Sequence, residues 1–411
     1  MDFALRLVGV LIRRDGFKAG QGLLRFLSIL LCCWMVGCTA PARIPYSAKA
    51  ALAADVDGFE DIRIYADWSG ELPQSRTWLP VLRQKEVNYL VLSGGGARGA
   101  FSVGILRAWS DTGQRPEFDM VSGVSTGALI APFAFLGSSY DQTLVDLYTS
   151  GVARDLVDFR FFPKAMLGPS LLDQDPLRKM VERHLTRDTL ARIAAEHRKG
   201  RRLLVLTSNL DSQRAVIWNM GAIAASGRSD ALNLFQDILI ASASIPGLYP
   251  AVLIKARTGD RVFEEMHSDG GTATQILTIP EGWLTGAKDV PWPEGADLNM
   301  YIIVNNALMP EFAVTTNNTF IVMAKASSLL IKSQTRNALL ATYAYARRNG
   351  IRFHMASIDV PVSYDMSDPF NTNYMRAIYN LGYAKMAGGN LWKGTPSFLA
   401  APIGAHPDRR K

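Results

Sequence analysis

Two glycine-rich turns constrain this chain more than any other feature. Ser93-Gly94-Gly95-Gly96-Ala97-Arg98-Gly99 follows the apolar run 88–92 and precedes helical spacing over 101–110. Gly123-Val124-Ser125-Thr126-Gly127 follows the run 118–122, with a second helical pattern after Ser125. Strand, tight turn and helix twice in succession predict an α/β fold built on parallel strands. Further strands are expected at 203–207, 216–219, 262–267, 300–304 and 351–358. Helices are expected at 229–241, 320–348 and 371–387, and Asp175-Pro176 reads as a helix start with an acidic N-cap. Residues 275–299 carry scattered prolines and glycines and read as a surface loop or lid. With 48% hydrophobic residues in 411, the chain can bury a large core, which excludes disorder.

The three cysteines, Cys32, Cys33 and Cys38, all lie in or beside one apolar run at 26–36. A long-range disulfide framework, a cysteine zinc site and a cysteine nucleophile in the body are therefore excluded. The run is too short to span a bilayer, and Arg13, Arg14, Lys18 and Arg25 precede it, as in a secretory leader. It ends in Met35-Val36-Gly37-Cys38, which resembles the bacterial lipobox, although Met35 stands where leucine is usual. Cys38 is thus the expected lipidated first residue of an envelope lipoprotein, held at a membrane surface of the periplasm or outer membrane. Residues 1–37 hold five cations and two acids, a net +3, so the formal +7 of the whole chain falls to +4 without them. That balance, with no basic stripe, implies no nucleic-acid partner.

The chemistry resides in the turns. Clustered backbone N–H groups at a helix start bind a negative oxygen, whether a phosphate or a developing oxyanion. Gly94, Gly96 and Gly99 also satisfy G-x-G-x-x-G, and Asp119 lies 20 residues beyond Gly99, so a dinucleotide-dependent oxidoreductase is a competing reading. Against it, Asp119 begins its strand, whereas the ribose-binding acid ends one. Gly123, Ser125 and Gly127 form G-x-S-x-G, a nucleophile elbow that pushes a serine hydroxyl outward. The bland alternative is a helix-capping serine. A serine nucleophile needs a base. His184 and His197 lie on charged helical stretches and read as solvent-facing, His406 lies in the tail, and His354 is mid-strand, where a triad histidine does not belong.

The better partner is Asp269, in Asp269-Gly270-Gly271. Together with the two turns and with Ala241-Ser-Ala-Ser-Ile-Pro246-Gly-Leu-Tyr-Pro250, this block resembles the patatin-like phospholipase family, in the family's order from about Val87 to Gly271. The resemblance implies a three-layer αβα fold with a mainly parallel central sheet. It also implies a Ser–Asp dyad without histidine, with Ser125 as nucleophile and Asp269 as base. The loop Gly94, Gly95, Gly96, Ala97, Arg98 and Gly99 then supplies the oxyanion hole, braced by Arg98, and no cofactor or metal is required. The expected organisation is a leader at 1–37, a tether and extension at 38–86, a catalytic domain at 87–393 and a tail at 394–411. The expected activity is hydrolysis of lipid carboxyl esters through an acyl-enzyme. A transacylase or thioesterase shares that chemistry, and a non-catalytic lipid- or protein-binding lipoprotein is the rival from another class. His267, two residues before Asp269, is expected either to tune it or to sit in the core. The aromatic run at 159–167 is a candidate acyl groove or membrane contact.

Overall fold

Leu90 and Leu92 face one core and Tyr89 and Val91 the other, so the first strand of the motif region is covered on both sides. That is the pattern of a parallel strand between two helical layers. A computed structural model describes residues 43–67, 78–80, 85–156, 170–284, 292, 295–310, 312, 314–360, 362 and 368–400. The leader with Cys38, the run at 159–167 and His406 lie outside the described residues.

Among the described residues, ten strands form one sheet: β1 (Asp55–Val56), β2 (Arg63–Tyr65), β3 (Glu86–Leu92), β4 (Met120–Val124), β5 (Arg202–Asn209), β6 (Arg214–Asn219), β7 (Val252–Thr258), β8 (Arg261–Asp269), β9 (Asp297–Ala307) and β10 (Arg352–Ile358). Strands β5, β4, β3, β9 and β10 lie side by side and are parallel. Strands β6, β7 and β8 add an antiparallel flank. The fold is the expected three-layer αβα arrangement, with the parallel strands at its centre. One core packs beneath α1 (Ala100–Asp111), α2 (Thr126–Leu136), α3 (Asp141–Thr149), α4 (Asp175–His184), α5 (Arg187–Arg198), α6 (Ala231–Ser242) and a C-terminal helix, Thr372–Ala387. The other packs beneath the second half of the long helix α7 (Thr319–Arg348), where Leu339, Tyr345 and Ala346 are buried.

Four expectations change. The boundary at residue 87 cuts a continuous sheet, because β1 pairs with β7 and β2 with β6, so the extension contributes two edge strands. The segment from 275 is no surface loop at its start: Ile276, Leu277, Ile279 and Trp283 are buried in the second core. The tail boundary also shifts, since Phe398 is buried there beneath the Arg336 guanidinium. Helix α4 begins at Asp175 itself with Gln174 as its N-cap, and the Asp173 carboxylate accepts the Asp175 amide instead.

Candidate active site

The register of β5 determines where the two motifs meet. On the edge opposite β6, Leu203 to Leu206 pair with Val121 to Val124 of β4. Thr207 to Asn209 then pair on that same edge with β8, running antiparallel from His267 to Asp269. Strands β4 and β8 therefore approach head-on along one edge of β5. Their ends carry Ser125 and Asp269.

The Ser125 hydroxyl donates to Asp269 Oδ2 at 2.6 Å. Ser125 sits between β4 and α2 with φ 56° and ψ −124°, a strained conformation for a residue bearing a Cβ. Its flanks permit it: a Cβ on Gly123 would lie 2.3 Å from the Gly127 carbonyl oxygen, and one on Gly127 2.3 Å from that of Leu92. The Ser125 amide donates to Ser242 Oγ at 3.0 Å, and Ser242 donates to the Leu206 carbonyl. On the other side, the Gly271 amide donates to Asp269 Oδ1 at 2.6 Å and Ser208 Oγ to the Asp269 carbonyl at 2.9 Å.

Asp269 is only 4% exposed, and no cation pairs with it among the described residues. Burial pushes its carboxyl up to about 7, although the hydrogen bonds from Ser125 and Gly271 favour the charged form.

The first turn lies beside this pair. Gly95 and Gly96 adopt φ of 154° and 56°, where a side chain is strained. Their amides have no acceptor among the described residues. The Gly94 amide, by contrast, donates to the Gln275 carbonyl and that of Arg98 to the Gly95 carbonyl. Within the expected oxyanion loop, those two amides are occupied in holding the turn. The Arg98 guanidinium donates to Tyr374 Oη and Asn306 Oδ1, and Asn306 Nδ2 donates to the Gly94 carbonyl, which links Arg98 to the start of the loop through Asn306.

Several residues of this frame were not singled out from sequence. Asn305 Nδ2 donates to the Ser93 carbonyl while Ser93 Oγ accepts the Asn305 amide. The signal was present in the polar Asn305-Asn306 pair ending an apolar strand. Ser242, and Ser244, whose carbonyl accepts the Asp269 amide at 2.9 Å, lay within the 241–250 block, but nothing in their spacing assigned them partners.

Beside Ser125, Gly96 and Ala97 opens a cavity of about 360 Å³. Its walls are apolar, among them Leu129, Phe133, Leu177, Val181, Leu248 and Met375.

The histidines divide. His267 is fully buried, accepts or donates through Nδ1 at Thr207 Oγ1 (2.9 Å) and through Nε2 at Glu265 (3.2 Å), and has no hydrogen bond to Asp269. It belongs to the core. His184 is half-buried and lines the cavity, and half-buried His197 packs on Gly221, so neither is a plain surface residue. A Cβ on Gly221 would lie 2.4 Å from His197 Nδ1, so the glycine makes room for the ring. His354, in β10, stacks on its cross-strand partner Tyr301 of β9, as a structural residue. Asp119 accepts the Asn88 amide at 2.8 Å and is half-buried at the start of β4, away from the strand ends where a ribose would bind. Among the described residues, no group of three metal-ligating side chains gathers.

Residues 90–278 match the family model for patatin-like phospholipase. Those residues form a patatin-like phospholipase domain. It is 26% identical over 181 residues to the cUMP-AMP-activated phospholipase of Escherichia coli, a match covering 42% of this chain and 52% of that protein. The chain thus spans about half the length of that curated relative. Among solved structures it is similar to VipD from Legionella pneumophila, at 12% identity and a TM-score of 0.37, covering 74% of this chain and 66% of that one.

Proposed function

We propose that the protein is a serine acyl hydrolase of phospholipase A type, cleaving carboxyl esters of lipids. The observation that carries this reading is the 2.6 Å hydrogen bond between Ser125 and a buried, cation-free Asp269 at the wall of an apolar cavity. In the proposed mechanism, Asp269 takes the Ser125 proton as Oγ attacks the ester carbonyl. The Gly95 and Gly96 amides stabilise the oxyanion. The protonated Asp269 then returns its proton to the departing alcohol, and the acyl group remains on Ser125. Water, activated by the same carboxylate, releases the fatty acid. A free aspartate titrating near ~3.9 is a poor base. A carboxyl raised towards neutrality by burial is a better one, because less driving force is lost in accepting the hydroxyl proton. The apolar cavity suits an acyl chain.

Ser125→Ala removes the nucleophile. Turnover of a chromogenic acyl ester should fall by at least roughly 10³-fold, and fluorophosphonate labelling should vanish. Retained labelling would disprove the assignment, and an absence of both in the wild type would favour a binding protein instead. Lipid attachment at Cys38, and with it an envelope membrane location, is proposed from the sequence pattern alone. Loss of metabolic fatty-acid labelling in Cys38→Ala would support it.

A further inference from the structure

The first four turns of α7 leave the body of the protein. From Ile321 to Ser333 no residue is buried, whereas Thr335, Leu339 and Thr342 further along the same helix are. This arm is nonetheless rich in apolar side chains. Val322, Met323, Ala326, Leu329 and Leu330 recur at the spacing of one helical face, and Leu329 and Leu330 are 67% and 70% exposed. Lys325, Ser328 and Lys332 form a separate polar stripe. The loop before the arm exposes two more apolar residues, Phe312 at 96% and Val314. An apolar stripe of this size left in water marks a binding surface.

The charge pattern narrows the partner. Between Glu311 and Asp359 there is no acidic residue, while Lys325, Lys332, Arg336, Arg347, Arg348 and Arg352 fall in that interval. An apolar face bordered by lysines, without acids, suits the boundary between lipid headgroups and acyl chains. Among the described residues no helix is long and apolar enough to cross a membrane, so this arm suits lying on a bilayer rather than spanning it.

Its position agrees. Strand β9 runs parallel to β3 and β4, and its end brings Asn305 and Asn306 against the glycine turn before the chain passes to the arm. At the root of the arm, Gln334 donates to the Ala273 carbonyl, just beyond the Asp269-Gly270-Gly271 turn, and Lys332 Nζ donates to the Met309 carbonyl at 2.7 Å. The arm therefore departs from the same end of the sheet as Ser125.

We infer that residues 319–333 form an interfacial helix that docks the protein on an anionic lipid bilayer, with the Ser125 end of the sheet towards the substrate. The inference deepens the lipid-hydrolase reading, and its test separates the two. The full chain, carrying Ser125→Ala and with Cys32, Cys33 and Cys38 replaced by serine, is labelled with a polarity-sensitive nitrobenzoxadiazole at Leu330→Cys. A control label is placed at Asp260→Cys, at the opposite end of β8 from Asp269. Vesicles of phosphatidylglycerol and phosphatidylethanolamine should blue-shift and brighten the Leu330 label but not the control, and phosphatidylcholine vesicles should do so much less. Lys325→Glu with Lys332→Glu should weaken the anionic response by about tenfold or more. An unchanged Leu330 label would overturn the proposal. So would a blue shift that follows protein concentration without vesicles, which would make the face a contact between two copies. In the active enzyme, Leu329→Glu with Leu330→Glu should lower hydrolysis of vesicle lipid about tenfold and leave a soluble short-chain ester unaffected. Because the labelling experiment uses a Ser125→Ala chain, it stands even where no esterase activity is found.

Discussion

Glu265 and Asp269 lie on one strand, face the same way and are both buried, yet the protein treats them oppositely. Glu265 receives the Arg63 guanidinium in a two-pronged ion pair, together with hydrogen bonds from Asn209 and His267. Burial pushes its carboxyl up, but His267 and Arg63 more than offset that and hold it below its ordinary value. Asp269 receives one hydroxyl and one backbone amide and no cation, and burial carries it up to about 7. The first carboxylate is fixed as an anion and joins β2 of the N-terminal extension to the core. The second is held between charged and neutral forms, the condition that the proposed role of proton acceptor requires. A buried carboxylate without a charged partner costs stability.

The largest effect that would test this contrast is Asp269→Asn. It should lower ester turnover by roughly 10²–10⁴-fold while making the protein more stable at alkaline pH. The sign follows from linkage. The native carboxyl keeps its proton up to about 7, while the unfolded one releases it near its ordinary 3.8. The wild type therefore loses stability as pH rises through that window, on the order of 4 kcal/mol at most, and the deficit persists above it. Asp269→Asn should escape that loss, so the two proteins should converge in melting temperature near pH 4 and diverge by pH 8. A variant that is inactive and also less stable at pH 8 would put Asp269 in the same class as Glu265.

Arg63→Met is the converse. It strands Glu265 without its cation and should destabilise the fold by about 3–5 kcal/mol, read by urea denaturation, while each folded molecule keeps its turnover. A fall in turnover without a fall in stability would tie this network to the chemistry. His267→Ala should have the smallest effect: about 1–3 kcal/mol of stability from stranding its partners, and less than a tenfold change in turnover. A loss as deep as that of Asp269→Asn would make histidine, not aspartate, the base.

Much of the site was legible in sequence because its constraints are local. The Gly95-Gly96 conformations, the strained Ser125 between two glycines and the Gly271 amide on Asp269 all arise within a few residues of each motif. Adjacency of the motifs was legible only through family resemblance. It depends on β8 continuing the edge of β5 where β4 ends, and antiparallel pairing of that kind leaves no periodic trace. The Arg63–Glu265 pair was hidden for the same reason, its partners being 202 residues apart. The strands β1 and β2 are too short for alternation to declare them. The buried start of the 275–299 segment was masked by its prolines and glycines, although Ile276, Leu277 and Ile279 were apolar enough to suggest it.

The central claim is that a buried aspartate near neutrality activates Ser125. It is tested most directly by the pH dependence of Ser125 acylation, followed as the burst from a chromogenic ester in the wild type and in Asp269→Asn. The wild-type rate should rise with pH through a single ionisation near 7, and that ionisation should be absent from the residual rate of the variant. The same ionisation persisting in Asp269→Asn would assign the proton acceptor to another group and contradict the account.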